Sequence, residues 1–298
     1  MYARSYGLIR TLAPLHVGAS AGEESGNLNL IFRDQYSRTG IIPGSSIRGR
    51  FRAEMRQRSG KDCTSWYGSE AGAGRDDISE GRVKFEHASL VWLPVFCPGQ
   101  PVVWVSSPML LRRYGAIVGS NLDMPPSYSC SEGLRGRKRK GEQGMTLFFN
   151  LGFMDVTPRG DLEKWIPDGM TNDVPGDRLV VVDDADIGLI HDMALYRQSR
   201  VKLADEEKKV DGGAFFNVEA LPEAAVLIFP IGVRSDRNGA MDGEDATERS
   251  GASQWHPFNT GASPEQAASG KFYSGELYFG GLESIGFGRC NVILKEVG

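Results

Sequence analysis

Apolar positions along the chain recur in short runs, most with the two-residue period of strands and few with the three-to-four-residue period of helices. Residues 5–12 alternate loosely, 83–96 contain LVWLPVF, and 102–106 read VVWVS. The GQP at 99–101 between the last two predicts a hairpin. Further strands are predicted over 147–153, 179–182, 225–233 and 277–279, with a short apolar one over 291–295. The best helix spans 45–57, where Ile47, Phe51 and Met55 fall at i, i+4 and i+8 behind Ser45 or Ser46 as cap. Residues 107–114 open on Ser-Pro and 184–195 on an acidic turn, which predicts two more helices. Three polar, glycine-rich tracts, over 64–81, 125–143 and 238–270, carry no period at all. Many strands, few helices and no internal repeat predict a mixed α+β fold with long insertions, and the length allows one large domain or two ordinary ones.

Composition narrows the class. The 298 residues are 40% hydrophobic and 24% charged, as in a soluble globular protein. No run reaches the ~18 apolar residues of a membrane span. The opening MYARSYGLIRTLAPL lacks a signal-peptide core, so a cytoplasmic protein is expected. Cys63, Cys97, Cys130 and Cys290 are scattered without a CxxC pair, which argues for reduced thiols and against a zinc site. The four histidines, His16, His87, His191 and His256, show no metal-ligand spacing, and no metal site is expected.

The net charge of −4, taken alone, disfavours a nucleic-acid partner. By segment the picture changes. Residues 31–60 hold seven bases against two acids, and residues 111–141 hold seven more against two. Residues 154–192 hold ten acids against three bases, and 241–265 are acidic too. A polyanion suits one surface and a basic partner another, unless each patch is simply a solvated face.

Four features bear on chemistry. Ile42-Pro43-Gly44-Ser45-Ser46 places a turn directly before a helix whose stripe of Arg48, Arg52 and Arg56 is joined by Arg50. Free N–H groups and guanidiniums there suit phosphate, as they also suit an ordinary capped helix. Gly280, Gly281, Gly286 and Gly288, followed by Arg289, allow close approach to a ligand or simply make a tight turn; GxGxxG is not matched. Residues 197–213, with Arg197, Arg200 and Lys202, read as a charged hairpin around an acidic turn. His16 stands just before the Gly/Ser-rich stretch 18–26, with Glu23, Glu24 and Asp34 as the nearest acids; a lone histidine is more often structural.

These pieces, in this order, resemble the RAMP-superfamily backbone subunits of type III CRISPR effector complexes, most closely those of the Cmr (type III-B) complex. Leu15-His16-Val17-Gly18 is similar to the family's opening LHxG, and Arg33-Asp34 with Ile42–Gly49 to its R-(D/E)…IPGSSLKG, Arg48 standing for the usual Lys. Residues 81–95 and Trp104 to Pro108, then Leu110-Leu111-Arg112-Arg113, resemble DAxLLxxPV…WVTSPxxLRR. Residues 212–222 resemble xGALFxxExLP, and 280–288 the terminal GGxExxGxG. The resemblance implies one α+β domain over 1–298, a ferredoxin-like, RRM-type core with an antiparallel sheet, insertions at about 64–81, 120–143 and 238–270, and a β-hairpin thumb, here 197–213. It implies stacking of copies along CRISPR guide RNA, held by its backbone, with complementary target RNA and sibling subunits as further partners. His16, Arg33, Ser45, Ser46, Arg48, Arg50, Arg52, Arg112, Arg113, Arg197, Arg200, Lys202, Gly280, Gly281, Gly286, Gly288 and Arg289 are the RNA-binding candidates.

One position departs from the family. Members commonly cut target RNA with a loop Asp and a divalent metal, the Asp five residues before the Arg matched by Arg33. Here that place is Leu28, between Asn27 and Asn29, and no acid stands from Ser25 to Phe32. The Asp of the DAxL segment is replaced too, by His87. A neutral amide is no base near neutral pH, and a leucine binds no metal. The expected protein binds guide and target and cuts weakly or not at all, needing no cofactor for binding. The alternatives are an active endoribonuclease using Mg²⁺ or Mn²⁺ through His16, Glu23, Glu24 or Asp34, and a free-standing RNA-binding or RNA-processing relative.

Overall fold

The computed structural model describes residues 2–19, 28–59, 63–69, 79–138, 144–150, 152–203, 210–234, 255 and 273–296. Strand β1 (Tyr2–Thr11) is followed by the two-residue β2 (Leu28–Asn29), helix α1 (Gly44–Ser59) and the short α2 (Cys63–Tyr67). Next come β3 (Val83–Phe85), β4 (Ser89–Phe96), β5 (Val102–Ser106), α3 (Pro108–Val118), β6 (Ser129–Ser131) and β7 (Arg137–Lys138). Then follow β8 (Met145–Phe149), β9 (Gly152–Arg159), β10 (Leu179–Val181) and α4 (Ile187–Ala194). The last elements are β11 (Tyr196–Leu203), β12 (Val210–Ala220), β13 (Val226–Arg234), β14 (Tyr273–Tyr278) and β15 (Arg289–Glu296).

The main sheet runs β14-β15-β1-β13-β4-β5-β10-β6-β9-β8-β7, with β3 also on β13. It is antiparallel except where β10 meets β5 and β6 meets β9. This is the α+β architecture the sequence predicts. Helix α1 forms where the apolar period predicts it, with Ile47, Phe51 and Met55 buried. It starts at Gly44, so Ser45 and Ser46 lie inside the helix rather than capping it, and Gly44 passes so close to β3 that a Cβ would sit 2.4 Å from the Phe85 carbonyl oxygen. Ser46 and Ile47 then donate their N–H groups to the Pro43 carbonyl.

Strand β13 reads VLIFPIGVR without alternation because both faces of the sheet are covered. Leu227, Phe229 and Ile231 join one buried cluster with α1, α2 and α4, while Val226 and Ile228 join a second with α3, Trp92 and Trp165. Trp92 is fully buried and donates its indole N–H to the Trp165 carbonyl at 3.0 Å. All four cysteines are free and buried. Burial pushes the Cys97 thiol up and raises those of Cys130 and Cys290 to about 12.

Three expectations are corrected. The predicted strand 147–153 is two strands, β8 and β9, folded into a hairpin at 150–152, because an apolar run hides the Asn and Gly that turn it. The tract 64–81 contains part of α2, and 120–143 contains β6 and β7, so neither is wholly irregular. Of 238–270, only Trp255 is described; it is buried and donates to the Tyr67 hydroxyl at 3.2 Å. Among the described residues, no helix is long and apolar enough to cross a membrane.

Candidate functional site

Strands β11 and β12 form the predicted hairpin, longer than expected on its second arm, and its tip at 204–209 lies outside the described residues. The hairpin's root is where the sequence candidates converge. Strand β2 lies parallel to β12 there, Leu28 opposite Asn217 and Asn29 opposite Val218. The position at which the resemblance places a cleaving Asp is thus a leucine in a ladder against the hairpin root.

Arg33 follows on the same segment and is held, not free. Its Nη1 donates to Asp192 Oδ1 at 2.5 Å and its Nη2 to Glu219 Oε2 at 2.9 Å. The Glu219 side chain is only 4% exposed and also accepts from Arg197, at 3.3 Å from Nε and 3.2 Å from Nη2. One buried carboxylate therefore ties the Arg33 segment to both strands of the hairpin. His16 approaches the same residue, its Nδ1–H donating to the Glu219 carbonyl at 2.7 Å, with its Nε2 beside Gly18.

Helix α4 closes the network. His191 is fully buried; its Nε2 accepts the Gly40 N–H at 2.9 Å and its Nδ1 lies 3.3 Å from Asp192 Oδ1. Hydrogen bonding from His191, aided by Arg33, holds the Asp192 carboxyl below the usual carboxylate range against the opposing effect of burial. Burial lowers the His191 imidazole below its ordinary value, so it is neutral in the fold. An unfolded histidine binds its proton below about pH 6.5, so His191 stabilises the fold above that pH and less as pH falls. Each pH unit below it then removes up to about 1.4 kcal/mol. The melting temperature is expected to drop between pH 7.5 and 5.5. His191→Gln, whose side-chain oxygen can still accept from Gly40, is expected to flatten that drop; an unchanged slope would assign it to another group.

The glycine loop docks on this root. The Gly281 N–H donates to the His16 carbonyl at 3.0 Å and the Gly288 N–H to the Pro14 carbonyl at 2.9 Å. Gly280 has φ +77°, and a Cβ on it would sit 2.0 Å from the His16 oxygen. Gly280 and Gly288 thus serve intramolecular packing, whereas Gly281 and Gly286 face open space. Arg289 is exposed and lies 3.8 Å from Glu276.

The remaining candidates are dispersed. Asp34 accepts from the Ser37 and Tyr36 N–H groups at 2.8 and 3.0 Å and from the Ser37 hydroxyl at 3.0 Å. Burial would raise its carboxyl, but these bonds outweigh that and hold it below the usual range. Its Oδ1 caps a turn. Glu23 and Glu24 lie outside the described residues. On α1, Arg48 donates to the Tyr67 carbonyl and Arg52 to the Gly68 carbonyl, the latter at 3.2 Å, so the expected phosphate stripe holds the end of α2. Arg50 pairs with Glu54 one turn on, Ser45 is exposed and Ser46 half-buried. Arg112 is exposed on α3; Arg113 donates to Ser89 Oγ at 2.9 Å and to the His87 carbonyl at 3.3 Å. Burial first, then Arg113, lowers the His87 imidazole. Arg200 is half-buried on β11, and the Lys202 side chain lies outside the described residues.

Asp192, Glu219 and His191 were not among the sequence candidates, and they organise the site. A hard divalent cation takes oxygen ligands, with at least one or two protein carboxylates beside substrate phosphate and water. Leu28 and Asn29 offer none, Asp34 is held in its turn, and Asp192 and Glu219 face guanidiniums. The described residues do not fit such an ion, and no group of three metal-ligating side chains occurs among them.

No curated protein matches the chain by sequence. Solved structures do match in fold. A chain of the type III-B Cmr-beta complex bound to cognate target RNA superimposes with a TM-score of 0.66 at 18% identity, covering 98% of both chains. A crystal structure of Cmr4 gives 0.60 at 16% identity over 99% of this chain and 100% of that one. Oligomeric Cmr4 from Pyrococcus furiosus gives 0.60 at 17%, over 100% and 99%. The RAMP superfamily model matches residues 8–291, the span from β1 through the hairpin root and the glycine loop into β15. With its fold and nearly its whole length accounted for in this way, the chain belongs to the RAMP superfamily.

Proposed function

We propose that this chain is a backbone subunit of a type III CRISPR effector complex, one that holds guide RNA and positions complementary target RNA in antiviral defence while cutting it weakly or not at all. The observation that carries the reading is the end-to-end likeness, 98% of each chain, to a component of a complex seen with its target RNA. Other copies of itself and sibling subunits are its partners, and its place is the cytoplasm. The fixed hairpin root supports a thumb that inserts at a set position in the duplex. Exposed Arg112 and Arg289 suit guide phosphates, which position a strand without reading its sequence, and the open space at Gly281 and Gly286 lets a strand approach the loop closely.

Weak cleavage is supported by chemistry. Cutting RNA at its own 2′-OH needs a group to take the proton and a counter-charge for the phosphate. Leu28 supplies neither, and the acids nearest it in the described fold are engaged with arginines or with a turn. The test is to purify the complex, identify its RNA, then add labelled target with Mg²⁺ or Mn²⁺. A guide of defined length and sibling subunits are expected to co-purify, with target bound and left intact. A chain that purifies alone and without RNA would favour a free-standing role. Regularly spaced cuts that vanish in Glu23→Ala or Glu24→Ala would overturn the non-cutting reading.

A further inference from the structure

The turn between Arg33 and Gly40 is built more rigidly than a connection requires. Asp34 and Thr39 bond across it at 2.9 Å, Arg38 donates its N–H to the Asp34 carbonyl at 3.1 Å, and Asp34 caps two further N–H groups. The Ser37 and Thr39 hydroxyls bond each other at 2.8 Å. Arg38 is held at φ +60°, a left-handed conformation costly for a side chain of this size, and it packs against Gly188 of α4, with only 3.1 Å between the Arg38 Cβ and a Cβ placed there. At the crest stands Tyr36, 85% exposed, the most exposed large apolar side chain described. Neither the Tyr36 hydroxyl nor the Arg38 guanidinium has a hydrogen bond or ion pair among the described residues. Arg38, though not Tyr36, lines a groove of about 790 Å³ together with Ala19, Leu30, Phe32, Arg33 and Asp34.

Packing does not account for a solvent-facing aromatic ring on a held turn, two residues from an unpaired guanidinium that lines a groove. Asp192 and Glu219 are already paired with Arg33, and the Asp34 carboxylate is turned to the Tyr36 and Ser37 N–H groups, so the Arg38 guanidinium has no carboxylate paired to it. A flat ring and a forked cation presented two residues apart on one held turn match a nucleobase and its adjoining phosphate. We propose that Tyr36 and Arg38 form a subsite for one unpaired RNA nucleotide, its base stacked on Tyr36 and its phosphate paired with Arg38. The subsite rests on the RNA-binding function proposed above and adds a contact that is sequence-tolerant, because every base offers a π-face.

The test uses the full chain and a short oligoadenylate carrying one 2-aminopurine, read by quenching of its fluorescence and by affinity. Tyr36→Ala is expected to abolish the quenching and weaken binding roughly ten-fold, while Tyr36→Trp retains both. Arg38→Ala is expected to keep the quenching but make the salt dependence shallower by about 0.7, the share of one phosphate on a single strand. Both side chains face solvent, so the variants fold as the parent does. Quenching and affinity unchanged in Tyr36→Ala would overturn the subsite. So would variants that bind the oligonucleotide normally but no longer associate with neighbouring copies, which would make the turn a protein contact. Failure to co-purify a guide would instead overturn the function proposed for the whole chain, since the oligonucleotide assay does not depend on it.

Discussion

Gly280→Ala is expected to lower the melting temperature by roughly 6 °C or more, while Gly281→Ala leaves it nearly unchanged. The two residues are neighbours in one loop, both exposed, and sequence alone does not rank them. Gly280 needs a left-handed backbone and sits where a Cβ would lie 2.0 Å from a carbonyl oxygen of the His16 segment. The conformation costs a side chain about 1–2 kcal/mol, and an atom with no room adds about 1–3 kcal/mol because backbone, unlike a flexible side chain, cannot step aside. Gly281 has nothing within 4 Å of its would-be Cβ. Equal melting temperatures for the two variants would show that the loop does not rest on His16. A local displacement is expected as well, because Gly281 donates to that same carbonyl. Amide exchange at Gly281 and Gly288 should quicken in Gly280→Ala and stay slow in Gly281→Ala.

The second large effect concerns the hairpin root. Arg33→Ala is expected to destabilise the chain by about 2–3 kcal/mol, because it leaves Glu219, 4% exposed, with Arg197 as its remaining side-chain partner. A double-mutant cycle with Glu219→Gln is expected to return a coupling of about 1–3 kcal/mol between the two residues. The exposed Lys84–Glu80 pair serves as the contrast, where solvent screening leaves no measurable coupling. Additive effects of Arg33 and Glu219 would reduce the network to ordinary surface pairing. Protease sensitivity of the hairpin should rise in Arg33→Ala before global unfolding, since the pair joins both arms of the root to β2 and α4.

The sequence was legible where a local rule operates. The i, i+4, i+8 spacing of Ile47, Phe51 and Met55 located α1, and GQP between two apolar runs located the β4–β5 hairpin, because period and turn chemistry act over a few residues. The β8–β9 turn escaped notice because Asn150 and Gly152 interrupt the run LFFNLGF too briefly to break its apolar character. Site residues were legible one side at a time. His16, Arg33 and Arg197 stood out through motif position or charge, but their partner Glu219 lies 186 residues from Arg33, and Asp192 lies 159 away. Such a pairing follows only from the folded chain. The stripe of Arg48 and Arg52 was visible for the same reason its destination was not. A guanidinium one helical turn from the next serves a phosphate and a carbonyl equally well, and here the end of α2 takes it.

The buried cysteines have a practical consequence for watching this molecule move. None of the four thiols reaches solvent, and burial holds three of them in the protonated, unreactive form at neutral pH. The native chain should therefore be nearly silent to maleimide dyes. A single new cysteine at an exposed site such as Ser284 would take up a fluorophore stoichiometrically, without first stripping out the natural ones. Distances between neighbouring copies, or between one copy and a labelled strand, then become measurable by energy transfer on an otherwise unaltered protein.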